Sequence, residues 1–240
     1  RIKQNEKIIK TQRSFIYSEM LFMLSFSERL GDINLSDVRS KNLNDSMNRI
    51  MKNSDQKELE DLWPTEEALE FMALCQHSGV PTRLLDWSYN PYVAAHFAAY
   101  SSIINNSTTD KLAVWRYNTE NTINARVNEQ KGDPVTEIYR LEPPFWGSNP
   151  NAVAQSGCFL FLRKTGNKEY NNLEPHVIVD IDKSKTPLVK ITTPQSEAPK
   201  ILNFCSLMGI TRSKLFRTYE GCAEHIKTQY EEMIEFAIKQ

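Results

Sequence analysis

The pattern of apolar residues changes halfway along this chain, and the change limits the folds that the chain can adopt. In the first half, apolar residues recur at spacings near 3.6, which predicts an amphipathic helix over residues 5–29 that ends at Gly31. The second half carries short β-branched and aromatic segments between turn signals, namely LAVWRY (112–117), EIYRL (137–141), CFLFL (158–162), HVIVDI (176–181) and LVKIT (188–192). Helices followed by strands predict an α+β fold with a mostly antiparallel sheet.

Further helices are predicted from their termini and from their apolar faces. Trp63-Pro64-Thr65 with two glutamates after it begins a helix that reaches Gly79, and another helix closes the chain at about 219–238. The apolar residues of the first helix are Phe15, Tyr17, Met20, Leu21, Phe22 and Leu24. A helix over 90–104 is expected to bury Val93, Ala94, Phe97, Ala98 and Ile103.

The bulk composition is that of an ordinary soluble protein and excludes several classes of function. The chain has 240 residues, is 40% hydrophobic and has a formal net charge of -1, so no general attraction to nucleic acid or anionic lipid is expected. It contains no apolar run long enough for a membrane span and no signal peptide. Its four cysteines are far apart, which predicts buried reduced thiols, a cytoplasmic location and no metal site.

One domain is predicted over residues 1–240. Its helical N-terminal part, 1–62, includes a polar stretch at 32–62 that we expect to form a loop and a short helix, and which is a candidate lid. Residues 63–240 are predicted to form the core. Because the sequence does not begin with Met, we expect it to be a fragment of a longer chain.

Polar residues are concentrated in QHSGVPTRLLDWSYNPYVAAHFAAY, residues 76–100, between two strongly apolar segments. Within thirteen positions the chain carries Gln76, His77, Thr82, Arg83, Asp86 and Ser88. Each buried polar group that lacks a partner costs about 1–3 kcal/mol, so packing alone does not explain this density. Polar groups that converge on an apolar wall predict a ligand pocket.

This stretch resembles the FRG domain, a family named for a Phe/Tyr-Arg-Gly motif near its N-terminus. The resemblance rests on Gln76-His77, Gly79, Pro81 through Trp87, Asn90-Pro91 and Ala94 through Ala98. Further likeness lies in Asn149-Pro150-Asn151, Gln155, Gly157, Phe159 and Leu207 through Phe216. The naming motif is not in the chain and is expected to precede residue 1, and Ala154 stands where the family usually has an arginine.

A second, more distant resemblance is to arginine-type ADP-ribosyltransferases, in the order of an Arg-Gly expected to precede residue 1, a strand that leads into a helix, and a late Gln-Ser-Gly. That resemblance implies an ADP-ribosyltransferase-like sheet with flanking helices, with NAD as the substrate. On that resemblance Asp86, Trp87 and Ser88 lie on the nicotinamide-side strand and Gln155 lies near the position of the glutamate. Together with the polar cluster, this predicts a catalytic set of Asp86, Arg83 and Gln155, and NAD-binding positions at His77, Thr82, Trp87, Ser88 and Asn90. Gln155 lies where a glutamate is expected, and an amide can neither carry charge nor accept a proton.

Every one of these residues also has a structural interpretation. Arg83 and Asp86 could pair with each other, Trp87 could anchor the core, and Asn90 could cap a helix that begins at Pro91. His77 could interact with the C-terminus of a helix, and Gln155 could satisfy backbone groups in a turn. The remaining histidines are expected to be structural; they are His96, His176 and His225.

Three functions follow from these observations. The first is a domain that handles an NAD-like nucleotide, by ADP-ribosyl transfer or NAD cleavage, as the effector of a bacterial toxin or an antiphage system. The second is a non-catalytic module that binds a ligand or a protein, and the third is a structural domain in which Arg83 and Asp86 are internal struts. The expected partners are a small nucleotide or a protein acceptor, without membrane or nucleic acid, and the oligomeric state is left open.

Overall fold

The computed structural model describes residues 12–34, 38–53, 63–104, 110–119, 123–124, 129–130, 138–142, 150–162 and 188–238. Its helices are α1 (Gln12–Asp32), α2 (Val38–Asn53), α3 (Glu66–His77), α4 (Pro91–Ile104), α5 (Pro150–Ala154), α6 (Ala198–Leu207), α7 (Arg212–Leu215) and α8 (Tyr219–Ile238). Its strands are β1 (Leu85–Ser88), β2 (Lys111–Tyr117), β3 (Ile123–Asn124), β4 (Glu129–Gln130), β5 (Ile138–Leu141), β6 (Gly157–Leu162) and β7 (Leu188–Pro194). The predicted α+β class is confirmed, while the strand predicted at 176–181 lies outside the described residues.

The chain divides into two compact units, each built from three segments. Unit 1 comprises residues 1–85, 118–142 and 159–187, and unit 2 comprises 86–117, 143–158 and 188–240. The boundary falls inside β1 and inside β6, so no single cut in the sequence separates the units. The single domain over residues 1–240 stays a prediction.

The predicted antiparallel character of the strands is confirmed by their pairing. The five-stranded sheet has the order β1-β6-β5-β3-β4, with β5–β6 and β3–β4 antiparallel and β3–β5 parallel. In the β5–β6 pair, Ile138 lies opposite Leu162 and Leu141 opposite Phe159. A separate antiparallel ribbon joins β2 to β7, with Lys111 opposite Pro194 and Tyr117 opposite Leu188.

The core of unit 1 is formed where α1, α2 and α3 pack with residues of β5 and β6. The buried face of α1 differs from the predicted one, because Leu21 and Phe22 are 55% and 46% exposed. The residues that α1 buries are Ile16, Glu19, Met20, Met23 and Ser27. The prediction of this face used apolar residues only. It was wrong because Glu19 and Ser27, a charged and a hydroxyl side chain, occupy two of the core positions.

Helix α2 is longer than the loop and short helix predicted for 32–62. It spans sixteen residues and buries Leu43 and Met47 in the core of unit 1. The many polar residues of this segment hid a regular pair of apolar residues four positions apart, which is enough to fix one face of a helix. A lid within 32–62 stays a prediction.

The predicted limits of α3 are confirmed, and its ends are stabilised by local hydrogen bonds. The Thr65 hydroxyl accepts a hydrogen bond from Ala68 N at 3.2 Å, which is an N-cap. At the other end, Gly79 N donates to Gln76 O and Val80 N donates to Cys75 O, which is a Schellman motif. This motif needs a left-handed residue, and Gly79 supplies it with φ of 84°.

The core of unit 2 lies between α4, α6 and the β2–β7 ribbon. Here too the buried face differs from the predicted one, since Ala94, Phe97, Ala98 and Ile103 are only half-buried. The residues that α4 buries are Val93, His96, Ala99 and Ser102. Spacings of three place His96 in line with Val93 and Ala99, and a histidine at a core position is not visible to an apolar pattern.

The burial of the cysteine thiols agrees with the prediction from the sequence. Cys75, Cys158 and Cys205 are buried and Cys222 is exposed, so three thiols are buried as predicted. Among the helices that the structure describes, none combines the length and the apolarity needed to cross a membrane.

Gly221 marks the closest approach of α8 to the residue that ends α7. A Cβ atom at this position would overlap the carbonyl oxygen of Phe216 and lie 2.7 Å from the Phe216 Cβ. The Thr218 side chain accepts a hydrogen bond from Gly221 N at 3.0 Å, which fixes the start of α8 in this place. The glycine is therefore required for space rather than for an unusual backbone conformation.

Replacing Gly221 by alanine is expected to lower the free energy of unfolding by about 1–3 kcal/mol, because the overlap involves backbone that no rotamer change relieves. Alanine favours a helix over glycine by about 1 kcal/mol, which offsets only part of that cost. The measurement is urea denaturation followed by circular dichroism. Cys222→Ala at the exposed neighbouring position is the control, and equal stability of the two variants would contradict the close approach.

Candidate functional site

The Arg83 side chain lies inside unit 1 and is held by Glu19 of α1. Arg83 N donates to Glu19 Oε1 at 2.6 Å, its Nε donates to Oε2 at 2.9 Å, and its Nη2 lies 2.8 Å from Oε2. Trp63 Nε1 donates to the same Oε2 at 2.8 Å. The exposed fraction of Arg83 is 0% and that of Glu19 is 3%. The guanidinium is thus a cation enclosed with its counter-ion.

Other contacts of Arg83 complete this enclosure. Its Nη1 lies 3.4 Å from the carbonyl oxygen of Leu162, and its guanidinium lies 5.9 Å from the centroid of the Phe15 ring. The negative charge of Glu19 also acts on the neighbouring Cys75. Burial first, and Glu19 second, raise the pKa of the Cys75 thiol to about 12. Cys75 therefore stays protonated near neutral pH and has no nucleophilic thiolate.

Thr82 is also committed to the turn in which it lies. Its hydroxyl donates to Gln76 Oε1 at 2.9 Å and accepts a hydrogen bond from Leu84 N at 3.1 Å. These bonds tie the end of α3 to the residues that precede β1. Both hydrogen-bonding roles of the Thr82 hydroxyl are therefore structural, whereas His77 lies exposed on the last turn of α3.

In unit 2, Ser88 and Asn90 join the end of β1 to the start of α4. The Ser88 hydroxyl donates to the carbonyl oxygen of Gln155 at 2.6 Å and accepts from Asn90 N at 3.0 Å. Asn90 Oδ1 accepts from Tyr92 N at 3.0 Å, which confirms the predicted N-cap with Pro91 as the first helical residue. Both side chains shape the backbone of this turn.

Gln155 fastens the turn before β6 to α7. Its side-chain Nε2 donates to the carbonyl oxygen of Leu215 at 3.1 Å. Arg217 N also donates to Oδ1 of Asn151 in α5 at 3.1 Å, so side chains of α5 and of the turn after it bind backbone groups at and after the end of α7. The position that the transferase resemblance assigns to a carboxylate is thus occupied by an amide in a structural hydrogen bond.

Asp86 and Trp87 lie on opposite sides of β1, since successive side chains of a strand alternate between its two faces. Asp86 is exposed and shares its side with Ser88, whereas Trp87 is half-buried on the other side. The Trp87 ring packs edge-on against Tyr117 of β2, with centroids 6.2 Å apart. The structure therefore separates two side chains that the sequence placed in one site.

Trp87 belongs to a group of residues that we call the aromatic face, consisting of Trp87, Trp115, Tyr117 and Lys190. Trp115 and Tyr117 are two positions apart on β2 and so point to the same side. Lys190 is paired with Trp115 across the ribbon, and its Nζ lies 5.0 Å from the Trp115 ring centroid. All four residues lie in unit 2, and Lys190 is exposed.

Glu19 was missed by the sequence analysis, and His96 was expected to be structural but was not placed on the buried face of α4. Glu19 carried a usable signal, since a lone acidic residue at a core position of an amphipathic helix requires a buried cation. His96 carried a similar signal through its spacing from Val93 and Ala99. Among the described residues, no group of three or more histidine, cysteine, aspartate or glutamate side chains is placed to hold a metal ion.

Replacing Arg83 by methionine is expected to lower the free energy of unfolding by about 3–5 kcal/mol, because it leaves the Glu19 carboxylate buried without its cation. The measurement is urea denaturation of the whole chain. Arg29→Met is the matched control, since Arg29 pairs with Asp32 at the surface and its loss is expected to change stability by about 0.5 kcal/mol or less. An equally mild effect of both substitutions would contradict the structural role of Arg83.

Comparison with known proteins supports one of the two resemblances. The model of the FRG domain matches residues 22–107, a range that includes α3, β1 and α4. Neither the curated proteins nor the solved structures yielded a match to the chain. The likeness to ADP-ribosyltransferases stays a prediction, and so do the functional roles given to single residues. The resemblance to the FRG domain is confirmed, and residues 22–107 are the part of this chain that matches that family.

Proposed function

We propose that this chain is a nucleotide-handling domain that binds an NAD-like molecule on the aromatic face of unit 2. The observations that support the proposal are the contact of the Trp87 and Tyr117 rings and the contact of the Lys190 ammonium group with the Trp115 ring. Aromatic rings stack on nucleobases, and each such contact contributes about 1–3 kcal/mol to binding. A lysine beside the rings supplies a positive charge for a phosphate group.

The rings and the lysine of the aromatic face indicate the kind of ligand that would bind there. NAD carries two flat heterocycles joined by a pyrophosphate, and the aromatic face offers several ring surfaces together with a cation. The formal net charge of -1 favours a small nucleotide over a nucleic-acid strand, which requires a longer basic track.

Turnover of a nucleotide is a second candidate; it depends on Asp86, and therefore on a ligand bound on the side of β1 opposite Trp87. In ADP-ribosyl transfer or NAD cleavage, the bond between the ribose and nicotinamide breaks, nicotinamide leaves, and a new bond forms to an acceptor oxygen or nitrogen. The acceptor must lose a proton, and a carboxylate is the group in the proposed catalytic set that takes it up. Arg83 is buried with Glu19 and Gln155 is an amide, so the chemistry would fall to the exposed carboxylate of Asp86.

A toxin or antiphage effector is the biological form that NAD cleavage would take, since loss of cellular NAD stops growth. The alternative is a module that uses the same face to bind a ligand or a protein without chemistry. Gln155 favours binding over turnover, because it stands where the resemblance calls for a carboxylate and its amide donates a hydrogen bond to the carbonyl oxygen of Leu215.

Binding is tested by isothermal titration of the whole chain with NAD. Trp115→Ala is expected to raise the Kd about 5- to 150-fold, which corresponds to one lost stacking contact. Lys190→Ala is expected to weaken binding and to make it less dependent on salt, since it removes a phosphate contact.

Two controls make this titration specific. Ile191→Ala alters the next residue of β7, whose side chain points to the opposite side and is 55% exposed, so binding is expected to persist. Lys200→Ala removes an exposed lysine of α6 that pairs with Glu197, the residue before that helix. This variant is likewise expected to leave binding intact. Absence of NAD binding by the unaltered chain would move the proposal to the protein-binding alternative.

Turnover is tested by incubating the chain with NAD and measuring free nicotinamide. Asp86→Asn keeps the size of the side chain and removes its basicity, so nicotinamide release is expected to fall by about 100-fold or more while NAD binding persists. The variant must show the same unfolding transition as the unaltered chain. Release that continues unchanged in Asp86→Asn would exclude Asp86 as the catalytic base.

A further inference from the structure

His96 is the one buried side chain of α4 that carries ionisable nitrogen atoms, and it lies in the interior of unit 2. Its exposed fraction is 5%, and within the described part of the chain neither Nδ1 nor Nε2 has a hydrogen-bond partner. Its ring stacks on Tyr100, with centroids 6.1 Å apart and planes inclined by 10°, and meets Phe97 edge-on. A polar ring in an aromatic environment without partners is stable only in its neutral form.

The charges that face His96 come from the helices α7 and α8. The Arg212 guanidinium lies 4.3 Å from the Tyr100 ring centroid and 4.2 Å from that of Phe216, so it is enclosed between two rings. Glu224 of α8 forms an ion pair with two nitrogen atoms of Arg212. The Glu224 carboxylate is therefore bound to the Arg212 guanidinium.

The charges and thiols that the described residues of α6 and α8 bring near α4 do not stabilise a proton on His96. His225 of α8 acts on His96 as a second positive group, together with Arg212. On α6, the Cys205 thiol contacts the carbonyl oxygen of Tyr92 at 3.4 Å, and burial raises its pKa, so it stays neutral. A proton on His96 would therefore meet repulsion from two sides.

This environment lowers the pKa of His96. Burial first, and then the charges of Arg212 and His225, lower the pKa from 6.5 to about 4. A state in which α7 and α8 have left α4 exposes the imidazole to water and restores its ordinary pKa. Between pH 6.5 and 4 the open state therefore binds the additional proton, so acid favours opening and stability rises with pH across this window.

We propose that His96 makes the attachment of α7 and α8 to α4 sensitive to acid, so that its protonation releases these helices and exposes the rings of Phe97, Tyr100 and Phe216. The contact to be broken is the Arg212 guanidinium between Tyr100 and Phe216, because Arg212 is one of the positive groups that an imidazolium repels and its guanidinium links α4 to α7. This proposal concerns the interior of unit 2 and is independent of the nucleotide site.

The experiment compares amide hydrogen exchange of the whole chain, corrected for intrinsic rates, between pH 7 and pH 4.5. In the unaltered chain, the open fraction of α7 and α8 is expected to increase about tenfold for each pH unit below 6.5, with a limit near 300-fold. In His96→Phe, which keeps an aromatic ring and removes the titrating group, this increase is expected to disappear. His77→Phe, which changes an exposed histidine of α3, is the matched control and should retain it.

Two results would overturn the proposal. The first is an increase in His96→Phe equal to that in the unaltered chain, and the second is an equal increase throughout α1, α2 and α3, which would indicate global acid unfolding. If His96→Phe does not fold, His96→Gln serves the same purpose, since glutamine is polar and does not titrate. An NMR titration of the His96 ring adds a direct reading, and a pKa near 6.5 in the folded chain would also contradict the proposal.

Discussion

The fold of unit 1 depends on one buried ion pair. Glu19 enters the core on the face of α1 that also carries Ile16, Met20 and Met23, and its carboxylate collects hydrogen bonds from Arg83 and Trp63. A carboxylate in such surroundings is stable only if its charge and its lone pairs are matched, and here they are matched by residues 44 and 64 positions later in the chain. The pair therefore places Arg83, which follows α3 in the chain, in the core of unit 1.

This requirement changes the meaning of the polar residues between α3 and α4. Their density in the sequence suggested a pocket, and the structure uses several of them to hold the chain itself. Arg83 satisfies Glu19, Thr82 connects Gln76 to Leu84, and Ser88 with Asn90 forms the start of α4. A turn of this kind between two apolar segments contains many backbone groups without helix or strand partners, and polar side chains supply those partners.

The sequence predicted the elements well and their faces less well. Periodicity placed α3, α4, β2, β5, β6 and β7 close to their observed limits, because the strength of those patterns lies in many residues at once. The orientation of α1 and α4 was misjudged because Glu19 and His96 occupy core positions, and a rule that counts apolar residues turns the helix away from them. Asp86 and Trp87 show a further limit of the sequence prediction. They are adjacent in the chain, but the alternation of side chains along a strand places them on opposite sides of β1.

Among the described residues, two buried basic side chains, Arg83 and His96, are accommodated in different ways. Arg83 cannot lose its proton, so its burial requires a permanent anion, and Glu19 provides one at 2.8 Å. His96 can be buried without an anion because it can be neutral, and the structure gives it aromatic neighbours and the nearby cation Arg212. The first arrangement is stabilised by the attraction between two opposite charges. The second holds without a counter-ion while the imidazole is neutral, which is why we expect acid to weaken the contacts of α4 with α7.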